Sequence, residues 1–319
     1  MELQDVKKVT VMGAGIMGQG IAHSFIMGGF DVMLYNPRQP SLDIAMAHIK
    51  NNMQDFINSD LISQDEAQRA LSRLTPTLDF EKSAEDCDFM METVPENLEL
   101  KQELFARFET KCPAYTILAT NTSDLPPLEI FKRVNNSSRT IMAHWFNPPH
   151  LMPTVEVAKL PGTDPDYWDL TVQVIHKAGK QAIKVAKPVQ GLIVNRIAAA
   201  ILREALDLVE QGVADAQDID DAIKGSLAFR SVCVGFIKAM DLGGLDAFLD
   251  MATRLLPEIS NSTSPPENIQ ALVNAGHFGI RSGKGFYDYD VKFTSRESDP
   301  AIIERDQMML KLTKIFNKG

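Results

Sequence analysis

The chain has 319 residues, and 32 Lys and Arg against 42 Asp and Glu give it a formal net charge of −10. Hydrophobic residues make up 45% and charged residues 23%, which excludes a disordered, collagen-like or coiled-coil chain. The acidic balance argues against a nucleic-acid partner, because binding to a phosphate backbone requires a basic surface. Since domains usually contain about 100–200 residues, this length predicts two of them.

The cysteines and the apolar runs indicate the cellular compartment of the protein. Cys87, Cys112 and Cys233 are an odd number at wide spacing, without the patterns of a disulfide framework or a CxxC site. No apolar run reaches the roughly 18 residues of a membrane span, and the first residues lack the apolar core of a signal peptide. We therefore expect a reduced, cytoplasmic protein without a membrane partner.

Short apolar runs alternate with helical patterns in the first half of the chain, which is typical of β-α-β units and a parallel sheet. Strands are expected at 9–12, 32–35, 89–92, 116–119, 140–143 and 154–157. Helices are expected at 17–27, at 41–73 with a break near 58–60, at 98–111 and at 172–178. The predicted fold class is α/β, a Rossmann-type doubly wound sheet followed by a smaller all-helical domain.

The helical part begins after about residue 188, where helix-period patterns dominate at 193–210, 218–224 and 245–256. Asp215 is a plausible N-cap for the second of these helices. The predicted domains are 1–188, a dinucleotide-binding Rossmann domain, and 189–289, a helical domain, followed by an amphipathic helical tail at 290–319.

A glycine motif, G-x-G-x-x-G, lies between the first predicted strand and the helix after it. Its residues are Gly13, Gly15, Ile16, Met17 and Gly18. The first glycine permits the tight turn, the second lets the backbone approach a pyrophosphate, and the third allows close helix–strand packing. The alternative is a structural glycine turn, but strand, motif, helix and second strand together within about 30 residues favour dinucleotide binding.

The end of the second strand departs from the usual dinucleotide pattern. An acidic residue there ordinarily accepts hydrogen bonds from the adenosine ribose, whereas this chain has Asn36, followed by Pro37 and Arg38. Asn36 does not repel a 2′-phosphate and Arg38 is able to pair with one, so NADP stays open beside NAD. The alternative, which fits NAD equally well, is that Asn36 bonds the ribose hydroxyls while Arg38 stacks on adenine or faces water.

One histidine has a partner at a meaningful spacing. If 140–146 and 154–158 pair as antiparallel strands around a loop centred on residue 150, His144 lies opposite Glu156. A carboxylate on one ring nitrogen makes the other more basic, as a base for alcohol oxidation requires. The alternative is a structural His–Glu pair. A metal site at His144 and His150 is not expected, because no carboxylate or cysteine follows at ligand spacing.

Several further motifs occur together. The chain contains VTVMGAGIMG at 9–18, ETVPEN at 92–97, NTS at 121–123, HWFNP at 144–148, VEV at 155–157, GLIVNR at 191–196 and FGIRSGKGFY at 278–287. In sequence and order these motifs resemble the L-3-hydroxyacyl-CoA dehydrogenase family over roughly residues 6–289. The resemblance implies an NAD-binding domain and a helical domain through which the chain forms a homodimer.

The resemblance also implies roles for individual residues. His144 would be the general base and Glu156 its orienting partner, while Ser123 and Asn195 would hydrogen-bond the reacting oxygen. The ribose and nicotinamide would be flanked by Glu96, Lys101, Ser123 and Asn147. Independently of the resemblance, Asn121 and Ser123 follow an apolar strand, where a parallel sheet places ligand-binding groups. Asn195 opens the long helix of the second domain, so the site is expected in the interdomain cleft.

The substrate is less determined. The implied reaction oxidises a 3-hydroxy compound to the 3-keto compound by hydride transfer, with an acyl-CoA as one possible substrate. However, relatives that bind CoA carry lysines on the hairpin after the second strand, whereas here Lys50 is the only one and 51–81 contain none. Segment 229–236 also lacks the family's Met-Gly-Pro. Alternatives are a small non-CoA hydroxy acid or alcohol (carnitine, gulonate or a pyridoxine-degradation intermediate), or a non-catalytic dinucleotide sensor.

Overall fold

The computed structural model describes residues 1–289 and 300–316, and a single sheet organises the first part of the chain. Its strands are β1 (Lys8–Met12), β2 (Asp31–Tyr35), β3 (Leu74–Thr77), β4 (Phe89–Glu92), β5 (Ile117–Thr120), β6 (Thr140–Trp145), β7 (Thr154–Ala158) and β8 (Gln181–Val185). They lie in the order β3-β2-β1-β4-β5-β6-β7-β8. All neighbours are parallel except β6 and β7, which are antiparallel.

Helices cover both faces of this sheet. They are α1 (Ile16–Met27), α2 (Gln39–Asn58), α3 (Gln64–Leu71), α4 (Phe80–Ala84), α5 (Leu98–Glu109), α6 (Pro127–Ile130) and α7 (Pro165–Lys177). The predicted fold class, a Rossmann-type sheet followed by helices, is confirmed.

Strands β3 and β8 were not predicted, and both are edges of the sheet. β3 contains a proline and buries only its first residue, Leu74, whereas β8 buries only Val185. An edge strand with few buried residues lacks the continuous apolar run by which a central parallel strand is recognised.

The core has two parts, one on each face of the sheet. Phe25 of α1, Ile49 of α2 and Val174 of α7 pack on one face. Phe105 and Phe108 of α5 pack on the other. Because central strands are buried on both faces, all four residues of β4 and of β5 are buried.

Contacts divide the chain into two units. The first comprises Met1–Ile193 and the stretch from Glu304 onward, and the second runs from Val194 to Ile303. Helices of the second unit are α8 (Val194–Glu210), α9 (Ala216–Ala222), α10 (Phe229–Cys233), α11 (Phe236–Gly243), α12 (Leu245–Leu255) and α13 (Glu267–Asn274), with a π-helical turn at Ile223–Ala228. Asp215 caps α9 by accepting a hydrogen bond from the Asp218 amide at 2.9 Å.

The predicted C-terminal tail contains helix α14 (Pro300–Phe316), while 290–299 and 317–319 lie outside the described residues. From Glu304 onward it belongs to the first unit. Leu310 is buried there, and the Lys314 ammonium lies 3.5 Å from the Asp60 carboxylate, in the turn after α2. Within 1–289 and 300–316, no helix is both long and apolar enough to span a bilayer.

Candidate active site

The glycine motif forms a turn in which larger residues do not fit. Gly13 has a φ of 113°, and a Cβ on it would lie 2.8 Å from the Thr93 hydroxyl. A Cβ on Gly18 would lie 1.8 Å from the carbonyl oxygen of Gly13. The Thr93 hydroxyl lies 3.1 Å from the carbonyl oxygens of both Met12 and Gly13, so it joins the turn to the end of β4.

The start of α1 fits a pyrophosphate. Gly15 precedes the helix, is exposed, and has no neighbouring atom within 4 Å of the position that a Cβ would take. No side chain caps the helix, and its first turn has no acidic residue. Because the first N–H groups of a helix lack partners within it and carry partial positive charge, they form a site for an anion. The turn therefore fits a dinucleotide cofactor.

The adenosine end of the predicted cofactor site lies after β2. Asn36 is half-buried and its Oδ1 accepts a hydrogen bond from the Arg38 amide at 3.0 Å, while Arg38 itself is exposed. The side-chain oxygen of Asn36 thus fixes the local backbone by this hydrogen bond. The remaining hydrogen-bonding capacity of Asn36 is available to ribose hydroxyls.

A network of buried charges connects the ends of β4 and β5. The Glu92 carboxylate is fully buried and lies 2.7 Å from the Lys101 ammonium. It also accepts hydrogen bonds from the Thr120 hydroxyl at 2.6 Å and the Val94 amide at 2.7 Å. Burial raises the pKa of Glu92, and the Lys101 charge acts against that rise.

The same ammonium reaches a second carboxylate. Lys101 lies 3.1 Å from Glu96, which accepts hydrogen bonds from the Thr122 hydroxyl at 2.9 Å and the Ser123 amide at 3.0 Å. Burial alone would raise the pKa of Glu96, but the Lys101 charge and these hydrogen bonds outweigh it, so the pKa is lowered. Glu96 therefore remains a carboxylate that holds the segment carrying Ser123.

Lys101 and Glu92 lie at the centre of this network. Lys101, which the resemblance places beside the ribose, is only 2% exposed at its side chain and is held between Glu92 and Glu96. Glu92 itself was not singled out. Its only sequence signal is an acidic residue at the end of an otherwise apolar strand, FMME.

His144 and Glu156 lie directly opposite each other in the register of β6 and β7. The Nδ1 atom of His144 is 2.9 Å from a Glu156 carboxylate oxygen, and both side chains are buried. The second oxygen accepts a hydrogen bond from the Ile193 amide at 2.8 Å. Next to the histidine, Asn121 accepts a hydrogen bond from the Trp145 amide at 2.8 Å, which ties the end of β5 to the end of β6.

This geometry leaves one ring nitrogen for chemistry. Among the described residues, Nε2 of His144 has no hydrogen-bond partner. A carboxylate on Nδ1 holds the proton there, so Nε2 carries the lone pair that accepts a proton. A His–carboxylate pair at the carboxyl end of strands beside a dinucleotide turn is suited to taking a proton from an alcohol as hydride leaves.

The predicted residues divide between the units. The first unit contains the glycine turn and most of the other predicted residues, namely Asn36, Arg38, Glu96, Lys101, Asn121, Ser123, His144, Asn147 and Glu156. Asn147 is exposed on the loop after β6. Asn195, the second residue of α8, belongs to the second unit and is exposed there.

Comparisons with known proteins cover nearly the whole chain. The model of the 3-hydroxyacyl-CoA dehydrogenase NAD-binding domain matches residues 8–189, and that of the C-terminal domain matches residues 191–289. A probable 3-hydroxybutyryl-CoA dehydrogenase of Bacillus subtilis is 31% identical over 90% of this chain and 99% of its own.

Another relative matches the tail as well. The 5-formyl-3-hydroxy-2-methylpyridine 4-carboxylate 5-dehydrogenase of Mesorhizobium japonicum is 27% identical over 98% of both chains. A solved structure of an enzyme of the same name, described as an NAD⁺-dependent dismutase, superimposes with a TM-score of 0.88 at 26% identity. It covers 98% of this chain and 99% of its own.

Replacing Gly18 by alanine tests the cofactor turn. Because the added Cβ would meet the Gly13 carbonyl, the turn must shift, and we expect NADH affinity to fall at least about tenfold. NADH fluorescence titration measures this. Gly225→Ala, where the added Cβ meets no atom within 4 Å, is the matched control. Unchanged NADH affinity in a folded Gly18→Ala protein would contradict the assignment.

Proposed function

Because this chain belongs to the 3-hydroxyacyl-CoA dehydrogenase family, as an NAD-dependent oxidoreductase acting on a CH–OH group, we propose that it oxidises a small hydroxy acid or alcohol that is not a CoA ester. His144 is the general base of this proposal. The observation that carries the chemistry is the buried hydrogen bond between His144 Nδ1 and Glu156.

In the proposed reaction, His144 Nε2 takes the proton of the substrate hydroxyl. NAD, when bound, accepts the hydride from the carbon that carries this hydroxyl. The charge that His144 gains lies 2.9 Å from the Glu156 carboxylate, which stabilises the imidazolium and keeps the ring in place. The Ile193 amide holds the other Glu156 oxygen, so the carboxylate does not rotate away.

Other residues position the reactants. We assign Ser123 to a hydrogen bond with the reacting oxygen, supported by the way Glu96 holds its backbone. We assign the partly exposed Glu96 carboxylate to the nicotinamide ribose. Lys101 holds this carboxylate by an ion pair and is itself held by the buried Glu92. Asn195, at the start of α8, is assigned to the substrate by family resemblance.

The exclusion of CoA esters rests on the α2–α3 hairpin. Asp55 and Asp60 lie on or beside it, and burial together with the nearby Asp306 raises the pKa of Asp55. Lys314 of α14 pairs with Asp60, so a cation from the chain itself already lies at this surface. A CoA phosphate would meet the like charge of these carboxylates, and Lys314 is already paired with Asp60.

The extent of similarity supports the same choice. The pyridine-carboxylate dehydrogenase structure superimposes with a TM-score of 0.88, whereas a solved 3-hydroxyacyl-CoA dehydrogenase that covers the same 98% of this chain superimposes with a TM-score of 0.65. The name of the former enzyme describes a small aromatic acid. We therefore favour a small carboxylic acid that bears a hydroxyl or a hydrated aldehyde.

A substrate panel tests this choice. We expect NADH formation with small hydroxy acids, pyridine carboxylates among them, and kcat/KM for 3-hydroxybutyryl-CoA at least about a hundredfold lower, because CoA phosphates are repelled. Steady-state assays with NAD and with NADP measure the preference for the substrate and the preference for the cofactor. Efficient turnover of the CoA ester would contradict the substrate proposal and leave the general-base proposal intact.

Replacing His144 by glutamine tests the base. Loss of proton transfer should lower kcat by about 10²–10⁴-fold, while NADH affinity stays nearly constant because His144 does not hold the cofactor. Steady-state kinetics and NADH titration separate the two effects. His176→Gln is the matched control, since the His176 ring on α7 bonds the Lys180 carbonyl oxygen, in the turn after that helix. A folded His144→Gln enzyme with near-normal kcat would refute the assignment.

We further propose that the second unit is a dimerisation domain. None of its described residues is buried, and its large apolar side chains are widely exposed, among them Phe229 at 71%, Ile237 at 76% and Leu249 at 71%. Exposed apolar surface of this extent marks an interface between chains.

Sedimentation equilibrium tests the dimer. We expect two chains per particle at micromolar concentration, and a shift toward one chain in Leu249→Asp, because a buried charge disrupts an apolar interface. Leu128→Asp, at an exposed apolar residue of the first unit, serves as the control and should remain dimeric. A monomeric wild-type protein would be decisive against this proposal.

A further inference from the structure

A cavity of about 330 Å³ lies in the first unit, and none of the residues assigned above to the cofactor or to catalysis lines it. His23 of α1 and Phe56 of α2 form part of its wall. The loop between β6 and β7 contributes His150, the turn before β8 contributes Lys180, and Met309 of α14 completes it. The volume is at the lower end of the range for small-molecule sites.

Lys180 is a buried titratable cation in this wall. It is 7% exposed, and its ammonium donates hydrogen bonds to the carbonyl oxygens of His150 at 3.0 Å and Met152 at 2.9 Å. No carboxylate pairs with it among the described residues, and burial lowers its pKa to about 7. An ammonium has three N–H groups, so one donor is left over.

The charge on the cavity wall has one sign. Among the described lining residues none is Asp or Glu, whereas Lys177 and Lys180 are able to carry a positive charge. The Lys177 ammonium lies 4.3 Å from the centre of the Phe30 ring and is exposed, so it is engaged at the rim. Lys180 is therefore the charge that is neither exposed to solvent nor neutralised, and an anion would provide its missing partner.

His23 is a second unusual polar group in the wall. It is 1% exposed, and neither ring nitrogen has a hydrogen-bond partner within residues 1–289 and 300–316. Its ring stacks on that of His150, with 5.6 Å between the centroids. Burial and the Lys180 charge lower its pKa to about 3, so the imidazole is neutral at pH 7. Buried polar groups without partners are rare and indicate a site rather than a finished core.

The remaining wall is apolar. It is formed largely by Met27, Phe56, Leu61, Ile62, Met309 and Leu312. Such a surface suits a hydrocarbon group, since burial of apolar area stabilises a bound ligand.

We propose that this cavity binds a small organic carboxylate, its carboxylate on the Lys180 ammonium and its hydrocarbon part against the apolar side chains of α1, α2 and α14. The site is separate from the catalytic pair, so its ligand is a second bound molecule and not the substrate in its reactive position.

Calorimetric titration of the full, NADH-saturated chain with octanoate tests the proposal. We expect one octanoate per chain, and no comparable binding of octylammonium or octanol, which have the same hydrocarbon without the negative charge. Equal binding of all three would mean adsorption to apolar surface and would overturn the proposal. Absence of any octanoate heat would do the same, leaving a cavity filled by water only.

Two variants locate the site. Lys180→Met keeps most of the side-chain volume but removes the charge, so octanoate affinity should fall at least about tenfold. Lys177→Met is the matched control, because it removes a charge at the rim, and should change affinity less than about twofold. An octanoate affinity that is insensitive to Lys180→Met would refute the site.

Lys180→Met also removes the hydrogen bonds that hold the loop between β6 and β7, so a third variant tests the cavity without changing Lys180. Met309→Trp enlarges a side chain on α14 without touching Lys180, and should abolish octanoate binding while NADH affinity is retained. His144→Gln should leave octanoate affinity unchanged. If His144→Gln weakens octanoate binding and Met309→Trp does not, the carboxylate occupies the active site and the proposal fails, whatever the outcome for catalysis.

Discussion

The candidate site depends on the antiparallel pairing of β6 with β7. In a sheet that is otherwise parallel as far as β6, this reversal places His144 opposite Glu156 at the end of the sheet where the glycine turn lies. A shift of one residue would turn Glu156 to the other face of the sheet and leave a buried carboxylate without its partner. The register is held from both sides, because Val155 and Val157 pack in the core beside it.

Buried charge at this edge is stabilised in two different ways. Glu156 is satisfied by a histidine and a backbone amide, so it stays beside a group that is able to gain and lose a proton. Glu92 is satisfied by the Lys101 ammonium, together with a hydroxyl and an amide. A lysine–carboxylate pair held by further hydrogen bonds suits a scaffold, whereas a histidine–carboxylate pair suits proton transfer.

Much of this could be predicted from the sequence, because local rules determine it. Two apolar runs around a short loop fix which residues face each other, so the His144–Glu156 contact follows from period-two geometry. The glycine turn follows from its strand and helix. By contrast, the role of Glu92 depends on its contact with Lys101, nine residues away on a helix, which no local pattern predicts. The edge strands β3 and β8 lack the strong apolar pattern that would identify them. The packing of α14 against the first unit is likewise a tertiary contact, which local periodicity does not predict.

The loop between β6 and β7 connects the two sites of the first unit. It begins after Trp145 and ends before Thr154, so it links the strands that carry the catalytic pair. The Lys180 ammonium holds two of its carbonyl oxygens, and Pro149 packs close to Gly20 of α1. A ligand on the third N–H group of Lys180 would leave both of these hydrogen bonds in place. Because Lys180 and the contact between Pro149 and Gly20 fix this loop, they also fix the path of the chain between His144 and Glu156.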